Sequence, residues 1–498
     1  MISRILIENF RSIKHLDFQP KAMCALIGKN NVGKSNIMEA IKLILTEKWP
    51  TYAIQDNDLY NHDMKLSGKI NIYFDKPLIY NYYSKEIAVG GFKLEFGNGI
   101  REFTCIDKNG EEIISQYGKS IRVTNELRSK ASALFIGLDR NLSKIANISE
   151  LSYLSKILEV ITKNFKSDTD KITAFNNGIN QLIGILKTED YNNAEFNITQ
   201  NVRSQTGIEK ILVELGAQDV LDFYKSLRIK VKEGEEYGWF DALEMGAGVQ
   251  SAIAVALMDT YSMLTGEKPI LLIEEPEIYL HPHARKYFYE LIKDRVTKGI
   301  QIFYTTHSPE FVDITNPESI NIVRKNVTNG TYIKSYTPLE EDEEDKNKIK
   351  RLTLFDTQKN EMFFSEKIML VEGQTEEHTI PYLLKLKGVN ANMLNIGIIN
   401  VGGKQNMVFF IKTAKSFGIP FVAIIDSDSE EDNELNSRIV NTGGEGNVFV
   451  LDQDFENVMG IPYSKKKINE ALKKVESITS FDSLPDSIKN AINHLLSL

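Results

Sequence analysis

A length of 498 residues predicts roughly two to four domains, and no run of about eighteen apolar residues is present that would predict a transmembrane helix. The opening residues lack the long apolar region and the cleavage site of a signal peptide. The two cysteines, Cys24 and Cys105, exclude a disulfide framework and a cysteine-based zinc site, and a cytoplasmic protein is expected. The net charge of −9 argues against a protein that coats DNA generally, but it does not exclude a nuclease with local basic patches.

The first predicted elements are a β-hairpin over residues 2–8 and 13–18 and a buried strand over 22–27. The loop that follows reads Gly28-Lys29-Asn30-Asn31-Val32-Gly33-Lys34-Ser35, and helical spacing begins directly after it. Strand, glycine-bounded loop and helix form a phosphate cradle, because the loop N–H groups and the positive helix end point at one small volume. We therefore expect a nucleotide here, with Lys34 at its β- and γ-phosphates and Ser35 on Mg²⁺.

Alternating residues over 69–74, and further short strands up to Val123, predict an antiparallel β section beside the nucleotide fold. Residues 126–226 then change to helical spacing, with few glycines or prolines. This insertion has two interpretations, a packed helical subdomain or a pair of arms that dimerise.

A second anion-binding turn is predicted where Gly246-Ala247-Gly248-Val249-Gln250 opens a long apolar helix. One chain does not need two such turns for one nucleotide. Two chains packed head to tail do need them, so Gly246, Gly248 and Gln250 are expected to reach the nucleotide of a second copy.

Polar residues end two predicted parallel strands in the same region. Glu274 and Glu275 follow the apolar run 270–273, and His307 lies in the polar tip of the predicted strand 301–308. Ligands bind at the carboxyl ends of such strands. Glu274 is expected to reach the Mg²⁺ on Ser35, Glu275 to orient or activate the attacking water, and His307 to bind the γ-phosphate.

An acidic run near residues 341–360 predicts a solvated linker. Beyond it, strands over 368–371, 396–401, 421–425 and 448–451 alternate with helices, which predicts a separate, mostly parallel domain.

Carboxylates cluster at three strand ends of this last domain. They are Glu372 and Glu376, Asp426 and Asp428, and Asp454 and Glu456. Hard oxygen ligands so placed suit one or two Mg²⁺ or Mn²⁺ ions, which can activate a water and stabilise the leaving oxygen of a phosphodiester.

The chain resembles known families at both ends. Residues 28–35, 270–275, Leu280-His281-Pro282 and His307 are similar to the Walker A, Walker B, D-loop and switch histidine of ABC-type ATPases of the SMC and RecF kind. The turn at Gly246 departs from the usual Leu-Ser-Gly-Gly-Gln signature. The C-terminal part resembles a Toprim domain, with Glu372 as its first acid and Asp426 and Asp428 as its Asp-x-Asp pair.

An ATPase joined to a Toprim domain resembles the OLD (overcoming lysogenization defect) family, which includes the nuclease subunit of Gabija anti-phage defence and retron-associated effectors. The predicted fold class is α/β, an ABC-type ATPase with a helical dimerisation insertion followed by a Toprim domain. The predicted boundaries are 1–125 and 227–340 for the ATPase, 126–226 for the insertion, 341–360 for the linker and 361–498 for the Toprim domain.

The resemblance implies site roles as well. Glu372, Asp426 and Asp428 would be catalytic metal ligands, and Glu376, Asp454 and Glu456 would also bind metal. A C-terminal lysine would stabilise the transition state. The competing lysines are Lys465, Lys466, Lys467, Lys473 and Lys474.

The leading hypothesis is an ATP-regulated, Mg²⁺- or Mn²⁺-dependent DNA endonuclease that forms a homodimer or higher homo-oligomer and, as the resemblance implies, serves in anti-phage defence. Two alternatives are a non-cleaving RecF-like DNA-binding ATPase in repair and a Toprim nuclease that acts on RNA or tRNA. The sequence leaves open whether ATP activates or restrains cleavage, and whether a helicase, a retron RNA–DNA or no partner is needed.

Overall fold

The structure is a computed structural model, and it describes residues 1–46, 48–83, 85–138, 153–206, 208–210, 219–225, 227–278, 280–338, 358–427, 433–462 and 467–498. The chain forms two compact units, one of residues 1–133 with 270–498 and one of residues 134–269. Most of the predicted acidic linker, residues 341–357, lies outside the described residues. The fold is mixed α/β, as predicted.

The strands run in chain order as follows: β1 Ile2–Phe10, β2 Ile13–Phe18, β3 Met23–Ile27, β4 Gly68–Tyr82, β5 Lys85–Gly97, β6 Ile100–Ile106, β7 Ala133–Ile136, β8 Lys230–Val231, β9 Phe240–Asp241, β10 Ile270–Glu274, β11 Ile302–Thr306, β12 Ile320–Asn326, β13 Gly330–Ser335, β14 Lys367–Val371, β15 Ile396–Asn400, β16 Phe421–Ile425 and β17 Val448–Val450.

The helices are α1 Lys34–Leu45, α2 Pro50–Ala53, α3 Asn125–Lys130, α4 Tyr153–Lys166, α5 Thr169–Leu186, α6 Glu189–Thr206, α7 Val220–Lys225, α8 Ala247–Thr265, α9 Pro282–Thr297, α10 Gln374–Leu386, α11 Ala391–Leu394, α12 Met407–Ser416, α13 Asn433–Gly443, α14 Phe455–Met459, α15 Lys467–Glu476 and α16 Asp486–Ser497. None of the helices in the described ranges combines the length and the hydropathy needed to cross a bilayer.

The larger sheet of the first unit joins its strands in the order β6-β5-β4-β1-β2-β13-β12-β3-β11-β10. Strands β1, β2, β4, β5 and β6 pair antiparallel, which is the predicted antiparallel section. Strand β3 pairs in parallel with β11 and β12, and β10 pairs in parallel with β11. Strands β3 and β11 are buried over their whole length, and the sequence of β3 is apolar throughout, as expected for a strand covered on both faces.

A second sheet, also in the first unit, has the order β15-β14-β16-β17, and each neighbouring pair is parallel. Its core packs strand residues such as Met369 and Val422 against Ile380 of α10 and Ile488 of α16. The parallel sheet is the one that the sequence predicts, and the boundaries of a separate domain around it stay a prediction.

The second unit consists largely of helices, as predicted for most of the insertion. Within it, α5 and α6 contain no buried residue. Several of their large apolar side chains are exposed: Leu182, Ile185, Leu186, Phe196 and Ile198. A dimerising role for these helices stays a prediction.

Candidate functional site

The phosphate loop joins β3 to α1 through two glycines with positive φ. Gly28 has φ +143° and Gly33 has φ +105°, which non-glycine side chains rarely adopt. A Cβ atom at Gly33 would also collide with Thr331 Oγ1. The Thr331 hydroxyl donates to Val32 O at 2.7 Å and pairs with Ser12 Oγ at 2.7 Å, so β13 braces the loop directly.

Lys34 is the buried cation of this loop. Its Nζ donates to Gly28 O and Lys29 O, both at 2.8 Å, so loop carbonyls satisfy the amine. Burial lowers the Lys34 pKa to about 8, against the opposing charges of Glu275 and Glu277. Ser35, beside it in the first turn of α1, is exposed and accessible to an ion.

The predicted ATPase residues come together because β3, β11 and β10 are parallel neighbours whose carboxyl ends share one edge of the sheet. His307 Nε2 lies 3.6 Å from Glu275 Oε1. Burial and the charge of Lys34 lower the His307 pKa, which Glu275 only partly opposes. The imidazole is therefore held neutral near pH 7, in the form that can donate one hydrogen bond and accept another.

The backbone of Glu275 is unusual. Its φ of +43° is left-handed, and its N–H donates to Thr305 O at 2.9 Å and to Thr305 Oγ1 at 3.1 Å. Glu274, the last residue of β10, is paired in register with Thr305. The left-handed conformation therefore falls at the residue directly after the end of β10, and the different predicted roles of Glu274 and Glu275 stay predictions.

The turn at Gly246 caps α8 in the second unit, as the sequence predicts. Gln250 Nε2 donates to Leu243 O at 3.0 Å and to Met245 O at 2.8 Å, so this side chain folds back on its own turn. The expected contacts of Gly246, Gly248 and Gln250 with the nucleotide of a second copy stay predictions.

In the smaller sheet, the strand ends bring Glu372 and Asp426 together. Glu372 Oε1 accepts the Asp426 N–H at 2.7 Å, and Glu372 O accepts the Gly403 N–H at 2.9 Å. Asp428, the other half of the predicted pair, lies outside the described residues.

Glu376, in the first turn of α10, is only 5% exposed. Burial raises its pKa to about 7, and the charges of Glu456 and Glu372 add to this, whereas Lys467 acts in the opposite direction. Four of the predicted residues therefore share one electrostatic neighbourhood.

Asp454 has a structural role in addition to its predicted one, because it caps α14 by accepting the Asn457 N–H at 2.7 Å. Among the competing lysines, Lys467 Nζ lies 2.7 Å from Glu456 Oε1. Lys473 instead pairs with Glu470 at 3.1 Å. Lys465 and Lys466 lie outside the described residues.

The chemistry of this cluster fits a divalent cation. All of its candidate ligands are hard carboxylate oxygens, and the like charges that raise the pKa of Glu376 would be neutralised by such an ion. The described residues alone do not form a group of three or more close acidic, histidine or cysteine ligands. The expected role of Asp428 as a metal ligand stays a prediction.

Two residues that sequence reasoning missed stand beside the predicted ones. Glu277 accepts hydrogen bonds from the residues at the end of β11. Glu366, just before β14, pairs with Lys29 of the phosphate loop at 2.9 Å and with Arg324 of β12 at 3.2 Å. Their only signal in the sequence was proximity to a motif, Glu277 to the Glu-Glu pair and Glu366 to the Toprim entry.

Residues 23–313 match the family model described as AAA domain, putative AbiEii toxin, Type IV TA system. Residues 363–428 match the model described as overcoming lysogenization defect protein-like, TOPRIM domain. The chain is 29% identical to the OLD nuclease of Thermus scotoductus, with 96% of each chain covered. It is 24% identical to the Old nuclease of Escherichia phage P2, with 86% of this chain and 77% of that one covered.

The endonuclease GajA of Bacillus cereus strain VD045 is 22% identical, with 95% of this chain and 84% of that one covered. The AAA-domain model covers more than half of the chain, and the TOPRIM match follows it as the motifs predicted. This chain therefore belongs to the AAA-domain family, and its ATPase is joined to an OLD-like TOPRIM domain, which confirms the resemblance to the OLD family.

Proposed function

We propose that this protein is a divalent-metal-dependent DNA endonuclease in which the TOPRIM domain cuts and the ATPase domain regulates cutting, in the cytoplasm and in defence against phage. The observation that carries the proposal is that Glu372, which accepts the Asp426 N–H, shares one electrostatic neighbourhood with Glu376, Glu456 and Lys467 near the strand ends of the TOPRIM sheet. The names of the relatives, OLD nuclease and endonuclease GajA, support the same activity.

Glu372, Asp426 and Asp428 would hold Mg²⁺ or Mn²⁺, with Glu376 and Glu456 as further ligands. Such an ion, when bound, lowers the pKa of water and stabilises charge on the phosphodiester oxygens. Lys467, held against Glu456, supplies a positive charge beside that developing negative charge, which is the role the family assigns to a C-terminal lysine.

Regulation by ATP is supported by contacts between the phosphate loop and the TOPRIM domain. The Glu366 carboxylate forms ion pairs with Lys29 of the loop and with Arg324 of β12. Arg324 also donates a hydrogen bond to Ser365 O at 2.8 Å. Although burial opposes it, Lys29 and Arg324 keep the pKa of Glu366 below its usual value, so it is ionised at neutral pH. A nucleotide in the loop would compete with Glu366 for Lys29. Glu366 immediately precedes β14, the strand that leads to Glu372.

Two features support a homo-oligomer. The helices α5 and α6 have exposed apolar side chains, and the Gly246 turn would bind the nucleotide held by a second copy. Light scattering after size exclusion should give at least twice the monomer mass. Polar substitution of Ile185 and Phe196 together should lower that mass.

The test of cleavage is nicking of supercoiled plasmid with Mg²⁺ or Mn²⁺, with and without ATP. Glu372→Gln and Asp426→Asn keep the side-chain shapes and remove the charges, so both should abolish nicking. Lys34→Ala should leave cutting possible and remove its response to ATP. Glu445→Gln is the matched control, because Glu445 is an exposed carboxylate of the same domain just before β17, at the opposite end of that strand from the site.

Nicking that persists in both acid variants would contradict the proposal. If the wild type and the variants all bind plasmid and none of them cuts it, the RecF-like alternative would be favoured. If the wild type cleaves tRNA but not plasmid, and Glu372→Gln loses this cleavage, the substrate is RNA.

A further inference from the structure

Glu277 is a buried carboxyl whose charge opposes the fall of the Lys34 pKa, and the nucleotide site described above gives it no further role. It lies in the turn after β10 and is 8% exposed. Its Oε1 accepts the backbone N–H of His307 at 2.7 Å and the hydroxyl of Thr306 at 2.8 Å. Thr306 Oγ1 in turn accepts the Ser308 N–H at 2.9 Å, so a single carboxyl oxygen anchors the chain as it leaves β11.

The other oxygen of this carboxyl, Oε2, has no hydrogen-bond partner in the described part of the chain. Burial raises the Glu277 pKa, and the charge of Glu275 adds to it although the hydrogen bonds oppose it. A buried group of this kind is costly to keep. One of its hydrogen bonds reaches the backbone of His307, the residue expected to bind the γ-phosphate.

The geometry around His307 shows what this anchor does. The imidazole leaves the backbone at the atom next to the anchored N–H, and its Nε2 lies 3.6 Å from Glu275 Oε1. Glu275 is itself fixed to β11 through Thr305. The turn after β10 and the end of β11 are therefore tied together twice, once at Glu275 and once at Glu277.

We propose that Glu277 is a positioning residue for ATP hydrolysis, which holds the His307 backbone so that the imidazole and the Glu275 carboxylate face the same γ-phosphate. This inference rests on the proposed nucleotide site, and Glu277 itself acts through His307 and touches no substrate. It assigns to the second acid of Glu275-Pro276-Glu277 a function distinct from that of the first.

The experiment measures kcat and KM for ATP hydrolysis together with the affinity for a fluorescent ATP analogue. Glu277→Gln keeps an acceptor oxygen in the same place, so its kcat should stay within about threefold of the wild type. Glu277→Leu removes the acceptor, and its kcat should fall roughly 100-fold with little change in KM, because small misplacements of reacting groups cost about that much. Glu290→Leu, at an exposed glutamate of α9, controls for the loss of a negative charge.

A double-mutant cycle separates positioning from a general structural role. In a His307→Ala background, Glu277→Leu should cause little further fall in kcat, because the proposed positioning acts through His307. If Glu277→Leu does not fold, Thr306→Val replaces it in the same cycle, with a smaller expected fall because the His307 N–H bond remains.

An equal fall of kcat in both backgrounds, or a wild-type kcat in Glu277→Leu, would overturn this inference alone. A wild type that binds the analogue but hydrolyses no ATP would overturn the inference while leaving nucleotide-controlled cleavage in place. A wild type that neither binds nor hydrolyses nucleotide would remove the ATP part of the proposed function, and the inference would fall with it.

Discussion

Single residues of the phosphate loop are constrained by backbone conformation as much as by chemistry. Gly33 combines φ +105° with a close approach of Thr331, whose hydroxyl bonds to the loop at Val32 O. We expect Gly33→Ala to destabilise the fold by about 1–3 kcal/mol and to lower nucleotide affinity at least tenfold, since the loop must move away from β13. Thermal unfolding and titration with a fluorescent nucleotide would measure both effects.

Gly99→Ala is the matched control for this substitution. Gly99 has φ +81°, but a Cβ there would meet nothing within 4 Å. It therefore isolates the backbone strain from the collision. Equal losses of stability in the two variants, with nucleotide affinity unchanged in Gly33→Ala, would show that the contact with Thr331 is unimportant.

Among the elements, helix α1 depends on a residue far along the chain for its C-terminal end. The last carbonyls of a helix have no partner within the helix. Arg128 of α3 is 3% exposed and donates to the carbonyls of Ile44, Thr46 and Lys48. Although burial lowers its pKa to about 10, the guanidinium stays charged at neutral pH, and charged donors make the stronger hydrogen bonds.

Arg128→Leu should lower the free energy of unfolding by about 2–4 kcal/mol, because it removes a buried cation that donates to three carbonyls, of which the Ile44 carbonyl is bonded in a buried position. Arg128→Lys should lose less, since one ammonium reaches fewer of the three carbonyls than a guanidinium does. Urea unfolding would measure both, with Arg122→Leu as the control at an exposed arginine. A loss in Arg128→Leu no larger than in Arg122→Leu would contradict this account of the helix end.

Across the whole molecule, the sequence predicted the positions of those candidate site residues that follow regular strands, while their roles stay predictions. Lys34, Glu275 and His307 meet because parallel strands end at one edge of a sheet, and Glu372 meets Asp426 for the same reason. Glu277 and Glu366 were missed because each is defined by a partner in another part of the chain. Periodicity and propensity describe local conformation, and they contain no information about which loop a side chain will reach.

The pairing of Glu366 with Lys29 and Arg324 leads to a prediction about the whole molecule. Lys29 and Glu366 are 46% and 40% exposed, so this ion pair contributes at most about 1 kcal/mol to stability. Its importance lies in its position between the phosphate loop and β14. Glu366→Gln leaves the phosphate loop intact but weakens its attachment to the TOPRIM strand, so nucleotide binding should persist and the fold should be stable.

The measurement is the ratio of plasmid cleavage rates with and without ATP. In Glu366→Gln the rate without ATP should stay within about twofold of the wild type, since the lost ion pair is weak, while the ratio moves toward one. Glu318→Gln is the control, because Glu318 also pairs with a lysine, Lys21 at 3.2 Å, but lies away from the TOPRIM domain in sequence and makes that pair within the ATPase. If Glu366→Gln leaves this ratio unchanged while Lys34→Ala brings it to one, the nucleotide acts on cleavage through another contact. The hydrogen bonds from Asn360 to Pro309 O and Val312 O, just beyond His307, are such a contact.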